Sequence, residues 1–203
     1  GMSVGEPGDG ISTGAQQAAD GRFPNSAGDI GHGSLAVRLP FMLRRFGTYF
    51  RDGGGRPNRI TNDGIFLREN AGHGIPTVTW IGHASLLVQM GQISFLTDPT
   101  WSNRPSPVPL IGPSRFVAPG LAMDDLPPID FVLISHNHYD HLDRATPEVL
   151  PNRDRISVIV PLMLLAFISE LGFRDFTELD LHDTTKTGSI TVTALPALHS
   201  SPR

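Results

Sequence analysis

The chain has 203 residues, of which 39% are hydrophobic and 18% charged, which is typical of one globular domain with a substantial core. Its formal net charge of −4 argues against a nucleic-acid partner, and the absence of cysteine excludes disulfides and thiolate metal ligands. No stretch approaches the roughly 20 apolar residues of a membrane span and no signal peptide is evident, so we expect a cytoplasmic protein.

The N-terminal part divides into two segments of different character. The first 34 residues are rich in Gly, Ser, Ala and Asp, which predicts a flexible leader before a domain spanning 35–203. Residues 35–50 place apolar side chains at helical spacing among several arginines, which predicts a basic amphipathic helix. Such a helix either packs on its own domain or makes a peripheral contact with an anionic membrane, and the sequence leaves both interpretations open.

Three strand-like segments follow, at 77–81, 85–89 and 93–97, with a tight turn between the last two. They place His83 at one strand junction and Asp98 at the end of another strand. Polar residues at such positions are commonly turn or cap residues. Asp98 is also a candidate for orienting a metal-binding imidazole, since such rings usually donate their second N–H to a carboxylate.

A proline-rich segment without sustained periodicity runs from 100 to 128. Unstructured segments of this length inside a compact domain usually cover a functional site. Arg104 and Arg115 lie in it, and either guanidinium can pair with an anionic group of a substrate, although loop arginines are more commonly solvated. Both are therefore candidate substrate contacts.

The densest cluster of candidate metal ligands follows an apolar run at 129–134, which predicts a buried strand. Alternate side chains of extended backbone share a face, so one side carries His136, His138 and Asp140. His141 then turns toward a neighbouring position. This spacing suits two adjacent metals better than one, and the alternative is an accidental cluster of polar loop residues.

The remaining elements alternate between strand and helix patterns. Thr146 begins a predicted helix as its cap, followed by a first-turn proline and an early acid. A buried strand at 156–160 precedes a helix from 162 to 171 that ends at Gly172. Further strands are predicted at 176–181 and 189–195. The last one leads to His199, a fifth candidate ligand at a strand end.

Taken together, these residues resemble the metallo-β-lactamase superfamily, whose signature is the His-x-His-x-Asp-His loop. The similarity is greatest to the branch of N-acylphosphatidylethanolamine-hydrolysing phospholipase D and its bacterial relatives. The resembling stretches lie within roughly residues 77 to 203 and follow one another in the same order as in the family. This shared order is far more specific evidence than the loop alone. The resembling stretches lie at 80–85, 96–99, 106–107, 112–116, 126–143 and 196–199.

The resemblance implies an α+β fold, the αββα sandwich, with its site at one edge and two zinc ions as the usual metals. It assigns the first metal to His136, His138 and His199. The second metal receives Asp140 and His141, and Asp140 also orients the attacking hydroxide. Asp98 and His83 would support the ligands or line the pocket. Imidazole and carboxylate ligands suit iron and manganese as well as zinc.

The chain departs from the family pattern at its C-terminal end. The family completes its site with a bridging aspartate and a last histidine on later strands, and neither has a counterpart here. We therefore expect roughly the N-terminal half to two-thirds of the sandwich, with too few ligands for a usual four-coordinate second zinc. A missing C-terminal segment or a homo-oligomer would complete the fold and cover exposed strand edges.

The function that this resemblance implies is hydrolysis of an ester by a zinc-activated hydroxide, with a phosphodiester of a phospholipid as the favoured substrate. Three alternatives remain open. The first is a truncated domain that binds one metal without catalysis. The second is a lactonase or other ester hydrolase of the same superfamily, and the third is a metal-free interaction module.

Overall fold

The structure is a computed structural model, and it describes part of the chain. Most of the predicted leader, the second half of the predicted amphipathic helix and a part of the 100–128 segment lie outside it. The described residues are 14–15, 17–19, 23–24, 34–36, 38–41, 43–44, 60–103, 115, 117–138, 141, 143 and 145–197.

Six strands form one mixed sheet, in which the spatial order follows the order along the chain. The first three strands are antiparallel and the last four are parallel, with the third belonging to both sets. The strands are β1 (Thr77–Gly82), β2 (Ser85–Met90), β3 (Ile93–Thr97), β4 (Phe131–Leu133), β5 (Ser157–Pro161) and β6 (Asp175–Leu179). A separate antiparallel pair, β7 (Thr184–Thr187) and β8 (Ile190–Thr193), begins a second sheet.

The helices are short. The described residues of α1, at 35–44, are helical. The others are α2 (Ile65–Asn70), α3 (Ala145–Val149) and α4 (Leu165–Ile168). The last helix continues as a 3-10 turn and stops at Gly172, whose positive φ of 74° favours glycine at a helix end, as the sequence predicts.

The two faces of the six-stranded sheet bury different sets of side chains. Across one face, a row of aliphatic residues runs from β2 to β5, and each is at most 2% exposed: Leu87, Leu96, Val132 and Val158. Leu67 of α2 and Ile168 of α4 join this cluster, so the helices cover that face. Alternation of side chains along each strand produces the separation between faces.

The opposite face packs against the hairpin β7–β8. Phe95 and Phe131 stack with ring centroids 4.6 Å apart, and Ile190 and Val192 contact the cluster around them. The layers are therefore helices, a six-stranded sheet and the start of a second sheet, which agrees with the αββα expectation. Near the free edge, Val78 and Trp80 of β1 are about two-thirds exposed on this second face.

The structure corrects three features of the sequence analysis. The residue that caps α3 is Asp143, because its Oδ1 accepts the Ala145 N–H at 3.2 Å, whereas Thr146 lies inside the helix. Helix α2 and strand β7 were not predicted. Their sequences lack a long periodic pattern, and pairing or packing with the rest of the domain decides their structure.

The predicted leader and amphipathic helix are described only in part. In the leader, the Ala15 N–H donates to Asp180 Oδ1 at 2.7 Å. In α1, the described apolar side chains Leu35, Leu39, Phe41 and Leu43 are between 51% and 77% exposed, so they do not pack into the core of this chain. Among the described residues no helix is both long and apolar enough to cross a bilayer.

We expect Leu96→Ala to lower the free energy of unfolding by about 2–5 kcal/mol, because Leu96 is fully buried in a central strand and its truncation leaves a cavity. Urea denaturation followed by circular dichroism measures the change. Val78→Ala, a truncation at an exposed position of the edge strand, is the control and should cost less than about 1 kcal/mol. Equal losses for both variants would contradict the assigned core.

Candidate metal centre

The candidate site lies at one edge of the six-stranded sheet, where neighbouring strands end. Asp98 directly follows β3, and the segment from Ser135 to His141 follows the parallel strand β4. The turn between β1 and β2, which contains His83, lies at the same edge because β1 runs parallel to β3 across the antiparallel β2. Strand pairing therefore brings together side chains that are up to 58 positions apart in sequence.

Asp98 is buried and held rigidly by its backbone. Its N–H donates to the Leu133 carbonyl at 2.8 Å, and its own carbonyl accepts the Ser85 hydroxyl at 2.7 Å. Its φ of 40° lies in the left-handed region, which aspartate tolerates better than most residues. This backbone turns the carboxylate toward the loop after β4.

The carboxylate of Asp98 accepts three hydrogen bonds from that loop. Oδ1 accepts the backbone N–H of Ser135 at 2.7 Å. Oδ2 accepts the Ser135 hydroxyl at 2.6 Å and the Nδ1–H of His141 at 2.8 Å. One buried carboxylate thus fixes both the start of the loop and the orientation of the His141 ring.

Three imidazoles converge beside this carboxylate. The ring centroid of His136 lies 4.6 Å from that of His138 and 4.1 Å from that of His141. The Nε2 atom of His136 faces Nδ1 of His138 at 2.9 Å. The ring of His83 meets the edge of His141 at a centroid distance of 5.3 Å. The structure therefore brings His83, Asp98 and these three histidines into one cluster.

Two donor atoms of this cluster, His136 Nε2 and His138 Nδ1, lie near the spacing that a zinc ion requires. Two nitrogen ligands of one tetrahedral zinc lie about 3.4 Å apart, given zinc–nitrogen bonds of about 2.0–2.1 Å. The observed 2.9 Å between His136 and His138 is within a small ring rotation of that value. Since His141 uses Nδ1 to bond Asp98, Nε2 is its ring nitrogen for a metal, which is the usual carboxylate–histidine arrangement.

Other predicted site residues lie outside the described part of the chain, namely Arg104, Asp140 and His199. Their assignments stay predictions. Within the described residues, no group of three or more His, Asp or Glu side chains is placed so that it could hold a metal ion. The described cluster brings imidazole rings together beside the Asp98 carboxylate, and its role as a metal site stays a prediction.

Arg115 is partly buried against backbone at the end of β1 and after β3. Its guanidinium donates to the carbonyls of Thr100 at 2.6 Å and Val117 at 3.0 Å, and Nη2 lies against Gly82. Burial lowers the pKa of the Arg115 guanidinium, and the nearby Asp143 carboxylate opposes that shift. These contacts tie the segments after β1 and β3 together, while its predicted contact with substrate stays a prediction.

Two residues of this region were given no role by the sequence analysis. Ser135 precedes the first histidine of the loop and bonds Asp98, and Asp143 accepts the Thr146 hydroxyl and the Ser102 N–H. Both are short polar residues next to the histidine motif, and this proximity was the only sequence feature that could have indicated a role for them. Asp98 and Ser102 lie on distant segments, so the sequence alone could not identify the bonds to them.

Comparison with known proteins adds a family match. The model of the beta-lactamase superfamily domain matches residues 94–203, a range that contains Asp98 and the whole histidine loop. The N-acyl-phosphatidylethanolamine-hydrolyzing phospholipase D 1 of Caenorhabditis elegans is 32% identical over 190 residues, covering 76% of this chain and 53% of that protein.

Two further relatives match shorter stretches. An uncharacterised protein of Mycobacterium tuberculosis is 38% identical over 128 residues, which are 62% of this chain and 34% of that protein. A protein of Anaeromyxobacter sp., named as a metal-dependent hydrolase, is 33% identical over 137 residues, covering 64% of this chain and 45% of that protein. The chain thus spans about a third to a half of the length of these relatives.

We expect Asp98→Asn to destabilise the metal-free protein by about 1–3 kcal/mol, because the amide group that replaces Oδ2 cannot accept the bonds from Ser135 and His141. Asparagine has nearly the same size as aspartate and also tolerates a positive φ. The loss of unfolding free energy therefore reports on the bonds that the carboxylate accepts. The measurement is urea denaturation in the presence of a chelator. Asp124→Asn, at an exposed position, is the control, and a matching unfolding midpoint for both variants would refute the role of Asp98.

Proposed function

Because the chain belongs to the beta-lactamase superfamily, we propose that it carries the metal site of a hydrolase that cleaves ester bonds. The observation that supports this most strongly is the cluster at the sheet edge. In it Asp98 orients His141 while the nitrogens of His136 and His138 face each other at 2.9 Å. Such a set of imidazoles with a supporting carboxylate is typical of a metal site.

We propose zinc as the metal, with two ions in the complete site. His136, His138 and His199 would hold the first ion, and Asp140 and His141 the second. The chain offers no thiolate, and imidazole with carboxylate also accommodates iron or manganese. Metal analysis decides between them.

Bound zinc supplies an acidified water near neutral pH, so the reaction needs no separate side chain as general base. The protein positions the reacting groups. Asp98 keeps the His141 ring from rotating, and the buried rows of β3 and β4 beneath the loop give it a rigid base. Asp140 would orient the attacking water.

For the substrate we propose a phosphodiester of a phospholipid. The support is the name of the C. elegans relative, which is an N-acylphosphatidylethanolamine-hydrolysing phospholipase D and is 32% identical to this chain. A carboxylic ester or lactone substrate is the runner-up, since the same ligands serve either reaction. A chain that binds one metal without catalysis is the third outcome.

We also propose that α1 contacts an anionic membrane surface. Its described apolar side chains are exposed, and Arg38 and Arg44 lie on the same short helix. Apolar side chains flanked by arginine are typical of helices that bind at the headgroup level. This contact would bring a cytoplasmic enzyme to a lipid substrate.

We expect His136→Ala and His138→Ala each to reduce bound zinc and to lower hydrolysis of bis(p-nitrophenyl) phosphate at least 100-fold, because each removes a proposed ligand. Zinc is measured by elemental analysis after dialysis, and turnover by p-nitrophenol release. His73→Ala, which removes an exposed histidine outside the cluster, should retain both properties.

Each other result has a defined meaning. Unchanged turnover in both variants would disprove the hydrolase site. Zinc binding without turnover would favour the non-catalytic domain. Hydrolysis of p-nitrophenyl acetate or a lactone, but not of the phosphodiester, would show that the substrate is a carboxylic ester or lactone.

We expect the wild-type chain to sediment with phosphatidylcholine vesicles that contain phosphatidylserine, and the double variant Leu39→Glu/Phe41→Glu to bind at least tenfold more weakly. Burying each of these side chains is worth about 1.5–3 kcal/mol, and the added acids are repelled by anionic lipid. Val149→Glu, at an exposed apolar position on α3, is the matched control and should bind like the wild type. Equal sedimentation of all three proteins would rule out contact through α1.

A further inference from the structure

The hydroxyl of Ser135 lies between a carboxylate and a ligand histidine. Its Oγ is 2.6 Å from Asp98 Oδ2 and 2.8 Å from Nδ1 of His136. A serine hydroxyl has one hydrogen to donate, and an ionised carboxylate can only accept. The hydrogen therefore points at Asp98, and Oγ is left as an acceptor toward His136.

This direction determines the state of the His136 ring. An acceptor at 2.8 Å from Nδ1 requires that Nδ1 carry the hydrogen, since two lone pairs at that distance would repel each other. In the neutral imidazole the other nitrogen, Nε2, then presents a lone pair. That atom is the one that faces His138 at 2.9 Å.

We infer that Ser135 is a positioning residue that fixes His136 as the Nδ1–H tautomer, so that Nε2 is directed at the proposed metal. This inference rests on the proposed function and deepens it. Ser135 acts through His136 and is not itself placed among the ligands.

The same carboxylate then controls two ligand rings. Asp98 Oδ2 accepts from His141 directly and reaches His136 through the Ser135 hydroxyl. Both rings then carry their hydrogen on Nδ1, which leaves Nε2 of each ring as the nitrogen with a lone pair. An outer hydrogen-bond partner of this kind typically contributes 10- to 100-fold in metal affinity.

The backbone around Ser135 makes the hydroxyl separable from the fold. The Ser135 N–H bonds Asp98 Oδ1 at 2.7 Å, and this bond does not depend on the side chain. The side chain itself is in an exposed position. Ser135→Ala therefore removes the hydroxyl alone, and Ser135→Thr retains it.

The first experiment reads the tautomer in the metal-free protein. Long-range ¹H–¹⁵N correlation spectra at about pH 8.5, where an ordinary imidazole is neutral, distinguish Nδ1–H from Nε2–H. We expect His136 to be Nδ1–H in the wild type and in Ser135→Thr, and to shift toward Nε2–H in Ser135→Ala. A merely structural role for Ser135 would leave this spectrum unchanged.

The second experiment measures zinc affinity by competition with a chromophoric chelator. We expect Ser135→Ala to bind zinc about 10- to 100-fold more weakly than the wild type, and Ser135→Thr to recover most of the loss. Ser94→Ala removes a buried hydroxyl from the start of β3, where it bonds Gln89, and serves as the matched control with unchanged affinity.

The outcomes separate the inference from the proposed function. An Nε2–H tautomer in the wild type, or equal zinc affinity in wild type and Ser135→Ala, would overturn the role of Ser135 while the hydrolase proposal stands. A wild type that binds no zinc would defeat the proposed function, and the tautomer shift in Ser135→Ala would still support the action of Ser135 on His136.

Discussion

The candidate site depends on the carboxylate of Asp98, which links the end of one strand to the loop that follows its parallel neighbour. It accepts two bonds from Ser135 and one from His141, and its backbone is tied to Leu133 and Ser85. A buried carboxylate is costly unless its oxygens are paired. The bonds from Ser135 and His141 satisfy this carboxylate and tie both residues to the end of β3.

The sheet supplies the rigidity that this arrangement requires. Rows of fully buried side chains run across β2, β3, β4 and β5 on the helical face, and the stacked pair Phe95 and Phe131 fills the other face. The candidate ligands therefore follow strands that are packed on both faces. Arg115 adds a second tie at this edge, because its guanidinium bonds two carbonyl oxygens beside Gly82.

The candidate metal cluster and the helix α1 lie in different parts of the chain. Asp98, His136, His138 and His141 lie within the range matched by the superfamily model, whereas His83 lies before it. The described apolar side chains of α1 are exposed and outside that range, so they do not pack into the core. A superfamily that shares one set of metal ligands can vary its substrates through such peripheral segments.

The sequence by itself determined the strands β1 to β3, the buried strand before the histidines and the helix end at Gly172, because alternation, apolar runs and glycine are local signals. It also identified His136, His138, His141 and Asp98 as candidates. Only the tertiary structure decided that Ser135 and Asp98 are bonded, that Asp143 caps α3 and that Arg115 faces backbone carbonyls. The bonds from Arg115 and Ser135 join positions 15 and 37 residues apart, which strand pairing and packing bring together. At α3 both Asp143 and Thr146 are capping residue types, and only the folded backbone selected Asp143.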